Sequence, residues 1–583
     1  MIQVEQMVAD KAPDFMARSP LITRPTLGLL RKLFHEREVN RFLRQHEDCH
    51  GFDFIDRVLE HFNFTYQASQ VDRRNIPATG RVLIIANHPL GALDGLALLR
   101  LIGEIRADVR IVANELLMGF DQLQNLFLPV DNLKRRTPRA QLKAISACLQ
   151  REEAVIIFPA GEVSRLSPAG IRDRAWNSSY LKIAHKNNSP LLPIHVGGRN
   201  SWLFYTSSTL YRPLASLLLA HEMFSQRNRQ IPIRVGQPIA VSELDRMPLG
   251  TKEKNKLVRR HLYRIARGKK PLIKTEKTIA HPQNRQRLRA ELKLAQRLGE
   301  TSDGKQILLF DYREDSAVMR ELGRLREEAF RQVGEGTGQK SDLDRYDRHY
   351  RHLILWDDED LEIAGAYRIG ESWQLLDGPN KRWLYSAELF DYSRDMVPFF
   401  EQGIELGRSF VQPRYWGRRS LDYLWYGIGA YLRANPQVRY MFGPVSLSAQ
   451  YPQLARDLLV YFYRLYFPDR ERLARSFTPY QHDDANLELI IPLFSGDDYE
   501  ADFKTLRQQL HHLGVAVPTL YKQYSELCEE GGVRFLDFGV DADFGFCVDG
   551  LVLVDLERVK AHKRQRYLGE LPTTASPETA PAP

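Results

Sequence analysis

Val82-Leu83-Ile84-Ile85-Ala86-Asn87-His88-Pro89-Leu90-Gly91-Ala92-Leu93-Asp94-Gly95 is the stretch on which the reading of this chain turns. Its opening apolar run, Val82 to Ala86, introduced by Pro77, Thr79 and Gly80, predicts a strand. A His and an Asp follow on the loop at the strand's C-terminal end, where α/β sheets expose reactive groups. A histidine that deprotonates a hydroxyl needs its second ring nitrogen held by an acceptor. Asp94 stands close enough in sequence to be that acceptor.

Outward from this stretch, further strands are expected at 109–113, 154–158 and 191–196. A helix with Ala140, Leu142, Ile145 and Leu149 on one face lies between the first two of these. Strands alternating with helices predict an α/β layer fold. Residues 1–75 read as mainly helical. From Thr251 to Lys274 basic residues crowd against a single acid, Glu253, with Leu257, Leu262 and Ile265 as a partial apolar stripe. This stretch, with the polar run to 305, reads as a basic linker or a membrane-surface helix.

A second domain is expected from 306 to 570. It opens with a strand at 307–312 and a helix carrying Val318, Leu322, Leu325 and Ala329. Strands follow at 352–356, 362–369 and 384–389, then a helix beginning at Ser420 and a strand at 439–445. Residues 571–583 are rich in Pro, Ala, Thr and Ser, and are expected to be disordered.

At 583 residues the chain exceeds one hydrophobic core. With 43% hydrophobic and 27% charged residues the composition is that of a globular protein. The four cysteines (Cys49, Cys148, Cys528 and Cys547) form no CxxC or CxxH spacing, so neither a disulfide framework nor a metal site is expected, and no cofactor. The net charge of +9 suits an acidic partner. Nucleic acid is set aside, because the basic residues are not interleaved with stacking aromatics and no RNP, zinc-finger or P-loop pattern occurs. Charges interrupt the first thirty residues, so no secretory signal is expected. The most apolar run, 201–224, is cut by Arg212, His221 and Glu222 and suits lying on a bilayer rather than crossing it.

The run from Asn87 to Asp94 resembles the NHxxxxD block of the glycerolipid and lysophospholipid acyltransferases, and further blocks follow in that family's order. Phe158-Pro159-Ala160-Gly161-Glu162 with Ser164 and Arg165 is similar to FPEGTRS, and Pro190-Leu191-Leu192-Pro193-Ile194 to the closing block. Leu128-Pro129-Val130-Asp131 stands weakly in the place of the second. The resemblance covers roughly 80–240 within a domain set at 76–250. It implies that His88, oriented by Asp94, deprotonates an acceptor hydroxyl that attacks an acyl thioester. Asn87, Gly161, Glu162, Ser164 and Arg165 would bind substrate. Five residues rather than four separate His88 from Asp94, a longer loop that Gly91 permits. Ala160 replaces the block's Glu, which suits an acceptor other than lysophosphatidate. Arg172, Asp173, Trp176 and 198–201 lie where an acceptor would bind.

In the second half Arg326, Phe330, Asp344, Asp347, Arg368, Glu405 and Arg408 stand in an order similar to the GNAT-related N-acyltransferases that use acyl carrier protein, above all the ornithine-lipid enzymes. An amine acceptor must lose a proton before attacking a thioester, and Glu405 is the carboxylate expected to serve as base or anchor. Asp344, Asp347, Arg368 and Arg408 would hold substrate or pair with one another. Arg414, Arg418 and Arg419 would face an acidic, phosphopantetheine-bearing carrier. Pro518 to Tyr524 and Asp549 to Val552 carry no chemical reading.

The whole resembles bifunctional ornithine lipid synthases, which implies an α/β acyltransferase domain followed by a GNAT-like mixed α/β domain. The second half would acylate an amino acid's amine and the first half the resulting lyso-lipid's hydroxyl, peripherally on the cytoplasmic face of the inner membrane. The alternative is a monofunctional lysophospholipid acyltransferase whose second half recruits carrier protein or membrane.

Overall fold

The computed structural model describes residues 3–11, 20–114, 120–130, 139–167, 170–210, 212–376 and 383–569. Asp131 and the tail 571–583 lie outside the described residues. The chain divides into two units, Met1–His281 and Pro282–Pro583, both mixed α/β.

The first unit is built on β1 (Thr65–Gln67), β2 (Val82–Ala86), β3 (Val109–Asn114), β4 (Phe127–Val130), β5 (Ala154–Ile157), β8 (Leu191–Val196) and β9 (Gln230–Val235), with a small hairpin of β6 (Arg165–Ser167) and β7 (Gly170–Arg172). The strands run β1-β9-β8-β2-β5-β3-β4 and pair in parallel except β8 with β9. β2 lies centrally with every residue buried, because successive side chains of a strand point to opposite faces and helices cover both. Val82 and Ile84 pack with Phe54, Ile55 and Leu98 on one face. Leu83 and Ile85 pack with Ile145, Leu149 and Tyr180 on the other.

Residues 1–75 include helices Pro20–Leu33, Glu36–Gln45 and Gly51–His61, together with β1, which pairs with β9. The basic stretch 251–305 is folded rather than free. Its helix Thr251–Ile265 sets Val258 and Leu262 into the second face of the first sheet, while Arg285–Leu292 and Gln296–Glu300 belong to the second unit. The apolar stripe outweighs the charge: a few buried aliphatics anchor one helix face and leave the lysines in water.

The second unit carries β10 (Gln296–Glu300), β11 (Gln306–Asp311), β12 (Arg351–Asp357), β13 (Glu362–Glu371), β15 (Gly403–Val411), β16 (Tyr440–Leu447), β18 (Val533–Asp541) and β19 (Cys547–Asp555), with β14 (Phe390–Tyr392) and β17 (Ala474–Ser476) as a separate pair. The sheet order is β10-β11-β12-β13-β15-β16-β19-β18, antiparallel throughout except β15 with β16. Helix Ala317–Gln332 covers one face, and Ser420–Ala434 and Gln453–Tyr466 the other. The strand expected at 384–389 is instead a turn containing the 3-10 segment Ser386–Glu388. Its amides at Tyr385 and Ser386 donate to the Glu405 carboxylate and not to a neighbouring strand.

β15 and β16 pair only from Gly403 to Glu405 and then part. Two backbone features mark the place where the pairing ends. A Cβ on Gly443 would stand 2.0 Å from the Leu406 carbonyl oxygen, so only glycine fits there. On the other side of β15, the register with β13 shifts between Ala366 and Arg368, and Arg408 takes the left-handed φ of 48°. That is a bulge, which bends a strand and re-aims a side chain.

Candidate acyl-transfer sites

In the first unit the loop 87–91 carries the chain from β2 into helix Ala92–Gly103. Gly91 holds a φ of 102°, open to glycine and not to most residues, and so absorbs the longer His–Asp spacing. Asp94 is fully buried in the helix's first turn, where its Oδ2 accepts from the amides of Leu90 (2.8 Å) and Gly91 (3.3 Å). Its other oxygen lies 2.9 Å from His88 Nδ1, a charge contact off the axis of a straight hydrogen bond.

The His88 ring stacks on Phe158 with centroids 4.0 Å apart and keeps 19% of its side chain open. Burial disfavours the imidazolium, but the carboxylates of Asp94 and then Asp173 outweigh it, and the ring titrates above the ordinary histidine value. Asp173 braces the loop from behind. It accepts from the His88 amide (3.3 Å), Ser164 Oγ (2.5 Å) and Trp176 Nε1 (2.8 Å). Ser164 in turn gives its amide to the His88 carbonyl at 2.7 Å.

Two of the polar residues named above tie the backbone together. Both polar atoms of the Asn87 amide are spent on the Val196 backbone at 2.8 Å, clamping β2 to β8. Asn200 holds the Pro89 carbonyl at 3.2 Å. Arg165 is different. It lies over the Phe204 ring at 5.5 Å and reaches Glu162 at 3.3 Å, yet its buried Nη1 has no hydrogen-bond partner. Gly161, at a φ of 65°, has open space beside it, and Glu162 is half exposed.

The second unit assembles its expected residues into one buried network. Arg326 Nη1 reaches Asp347 at 2.7 Å. Arg368 Nη1 grips both oxygens of Asp344 at 2.7 and 2.8 Å and lies 3.4 Å from Asp347. Arg408 reaches Asp342 at 3.0 Å and Asp344 at 3.5 Å, and stacks over Tyr385 and Phe544 at 4.5 and 5.0 Å. Burial would raise the Asp347 carboxyl, but Arg326 and Arg368 prevail and hold it far below the usual carboxylate range.

Glu405, buried at the last paired position of β15, accepts from Tyr350 OH, from the Tyr385 amide at 3.1 Å and from the Ser386 amide at 2.7 Å. Its acceptor positions are thus nearly filled. Arg414 is also engaged, bound to Asp360 and Glu362 at 2.8 Å each, and Arg419 lies 3.6 Å from Asp422.

Two hollows flank the network. One of about 60 Å³ lies where β15 and β16 part, lined by Phe330, Tyr385, Arg408, Ser446, Tyr524 and Asp549 among others. The other, of about 530 Å³, is lined by Tyr312, Asp344, Arg345, Arg348, His349 and Trp383, the last two rings stacked at 4.0 Å. Asp549 went unread in the sequence. The signal that could have found it is a lone acid inside the apolar run of β19.

The family model described as acyltransferase matches residues 6–269, and that of the acetyltransferase (GNAT) domain matches 325–426. A glycine N(alpha)-acyltransferase of Bacteroides thetaiotaomicron is 34% identical over 304 residues, 50% of this chain and 89% of that protein. A lyso-glycine lipid O-acyltransferase of the same organism is 30% identical over 253 residues, 42% of this chain and 91% of that protein. An L-ornithine N(alpha)-acyltransferase of Brucella abortus is 32% identical over 121 residues, 20% of this chain and 41% of that protein. This chain is therefore an acyltransferase that belongs to the family of the glycine N(alpha)-acyltransferases and lyso-glycine lipid O-acyltransferases, with an acyltransferase domain followed by a GNAT domain.

Proposed function

We propose that the chain makes a two-chain amino-acid lipid in two steps, acylating the α-amine of an amino acid in the second unit and the hydroxyl of the resulting lyso-lipid in the first. The observation that carries this reading is that one polypeptide matches an N-acyltransferase and a lyso-lipid O-acyltransferase, each over about nine-tenths of that protein's length. The residues support it. His88 has an open ring whose Nδ1 faces a buried carboxylate, so Nε2 is left to take a hydroxyl proton. Arg165 Nη1, buried and unpaired, suits the carboxylate that an amino-acid lipid carries.

In the second unit the parted strands leave backbone groups of β15 and β16 free of one another. Such an edge fits the amide-bearing arm of an acyl thioester, with carrier protein as the proposed donor. Ornithine is the acceptor expected from the sequence. Glycine is favoured by the longer match and is the second reading. No helix among the described residues is long and apolar enough to cross a membrane. Trp202, Leu203 and Leu166 are exposed, and Arg165, next to Leu166, packs on Phe204, so this apolar patch suits a bilayer surface from which His88 draws its acceptor.

The test is mass spectrometry of lipids from a bacterial host that makes no amino-acid lipids, expressing the wild type, His88→Ala or Glu405→Ala. Expected are a two-chain aminolipid, its one-chain amide and neither, respectively, and the head-group mass separates ornithine from glycine. A wild type that alters only phospholipid acyl chains would overturn the two-step reading.

A further inference from the structure

Where β15 and β16 part, the network of arginines and carboxylates leaves one acid unspent. Asp549 sits on β19 directly opposite Ser446 of β16 in the strand register, and both line the hollow between the parted strands with Arg408. Its only hydrogen bond among the described residues is a weak one, accepted from the Cys547 thiol at 3.7 Å. Glu405, by contrast, takes Tyr350 OH and two amides. A base needs a lone pair aimed at the substrate, and a carboxylate saturated by fixed donors has little to offer.

We propose that Asp549, rather than Glu405, is the base of the second unit, taking a proton from the amine nucleophile in the hollow between β15 and β16, while Glu405 fixes the turn at Tyr385 and Ser386. This rests on the amine-acylation reading of that unit. The step balances without any further reactant. The acceptor arrives as an ammonium ion and gives one proton to the Asp549 carboxylate. The freed amine attacks the thioester carbonyl, the N–C bond forms and the C–S bond breaks. The nitrogen's next proton goes to the departing thiolate, leaving an amide and a thiol, and Asp549 returns its proton to solvent.

The surroundings tune the group for this task. Burial first, then the carboxylates of Asp541 and Glu335, push the Asp549 carboxyl up to about 8, with Arg408 only partly offsetting them. Cys547, Tyr521 and Tyr385, which also face it, are themselves pushed up by burial and stay neutral at physiological pH. Glu335, raised to about 7 by burial, is held by Ser446 Oγ at 2.9 Å. A base with this affinity for protons is matched to an ammonium far better than an ordinary carboxylate.

The test uses the purified full-length chain with glycine and ornithine as amines, and a 3-hydroxyacyl carrier-protein thioester or an acyl-CoA as donor. Thiol release and amide mass are followed against pH. For the wild type, kcat should rise with pH through about 8, because the base works deprotonated. Asp549→Asn should lose about 100-fold or more in kcat near neutrality with the donor's KM within about twofold, and recover as alkaline pH frees the amine unaided. Asp549→Glu should keep part of the activity. Overlaying profiles for wild type and Asp549→Asn, within about threefold, would overturn the proposal alone. If Asp549→Asn does not fold, a wild-type profile flat through about 8 overturns it and a rising limb there, with partial activity of Asp549→Glu, supports it. If the wild type makes no amide from any pair, the reading of the second unit falls, and the proposal with it.

Discussion

The two units prepare carboxylates by opposite routes. In the first, Asp94 is buried but richly served: two amides and the His88 ring surround it, all from one strand end and one helix turn. In the second, Asp549 lies far along the chain from the motif residues, buried on β19 opposite a serine of β16, and is left almost bare. The first carboxylate is held by fixed donors so that it can orient a histidine. The second is destabilised as an anion, which makes it hold a proton itself. A local motif thus supplies a supporting carboxylate, whereas a reactive one needs the whole sheet to keep water and donors away.

The sharpest way to break the comparison is to remove the histidine. His88→Ala should lower O-acylation by about a thousandfold while N-acylation continues, so one-chain amide accumulates, measured by lipid mass spectrometry. Asp94→Asn should cost about a hundredfold and also change the pH dependence. His88 works as a base only when neutral, so the wild-type rate climbs as pH rises through its raised titration point. Without the Asp94 charge, burial dominates, and the climb should move to lower pH with a lower plateau. A variant whose profile keeps its position would mean that Asp94 only shapes the loop.

The acidic half of the contrast can be tested by stability. Arg326→Met leaves Asp347 short of its nearest partner in a buried site and should destabilise the second unit by about 3 kcal/mol, read by denaturant unfolding. Asp347, held low when folded, contributes stability above the unfolded carboxylate's range and loses it as pH falls, so the deficit should be largest near neutrality and shrink in acid. Asp549 carries the reverse sign. Its raised folded value costs stability progressively as pH rises from the ordinary carboxylate range through about 8. Asp549→Asn should therefore be more stable than wild type at pH 8, by on the order of several kcal/mol, the gain shrinking as pH falls into the ordinary carboxylate range. A stabilised but inactive variant is the expected mark of a strained active group.

How much of this was legible follows from the same distinction. The apolar strand, the His and the Asp are read from one continuous stretch, because the period of a buried strand and the position of a loop are local properties. The strands expected around them fall within a residue or two, as at Leu191–Val196, whereas β1, β4 and β9 of the same sheet went unread. The ordered residues Arg326, Asp344, Asp347, Arg368 and Arg408 could be grouped by resemblance, yet not given partners, since Asp342 joins them only in the fold. The donors that surround Glu405 could not be foreseen, because sequence cannot count the amides a turn will aim at a carboxylate. The turn itself was taken for a strand for the same reason, its apolar residues being visible and its hydrogen bonds not. The basic stretch after 250 hid its anchors, as two aliphatics outweigh many solvated lysines.

The smallest expected effect concerns the arginines set aside for a carrier protein. Arg414 spends its guanidinium on Asp360 and Glu362, whereas Arg418 lies over the Tyr415 ring at 5.6 Å with no ion pair among the described residues. An exposed pair of this kind is worth under about 1 kcal/mol, and a guanidinium already gripping two carboxylates has little left for a phosphate. Arg414→Ala should then change stability and the KM for a carrier-protein thioester by less than about twofold, while Arg418→Ala raises that KM several-fold at low ionic strength and less at high salt. Equal effects from both would place the carrier across the Arg414 pair and break it on binding. Neither having an effect would turn attention from this loop to acyl-CoA as the donor.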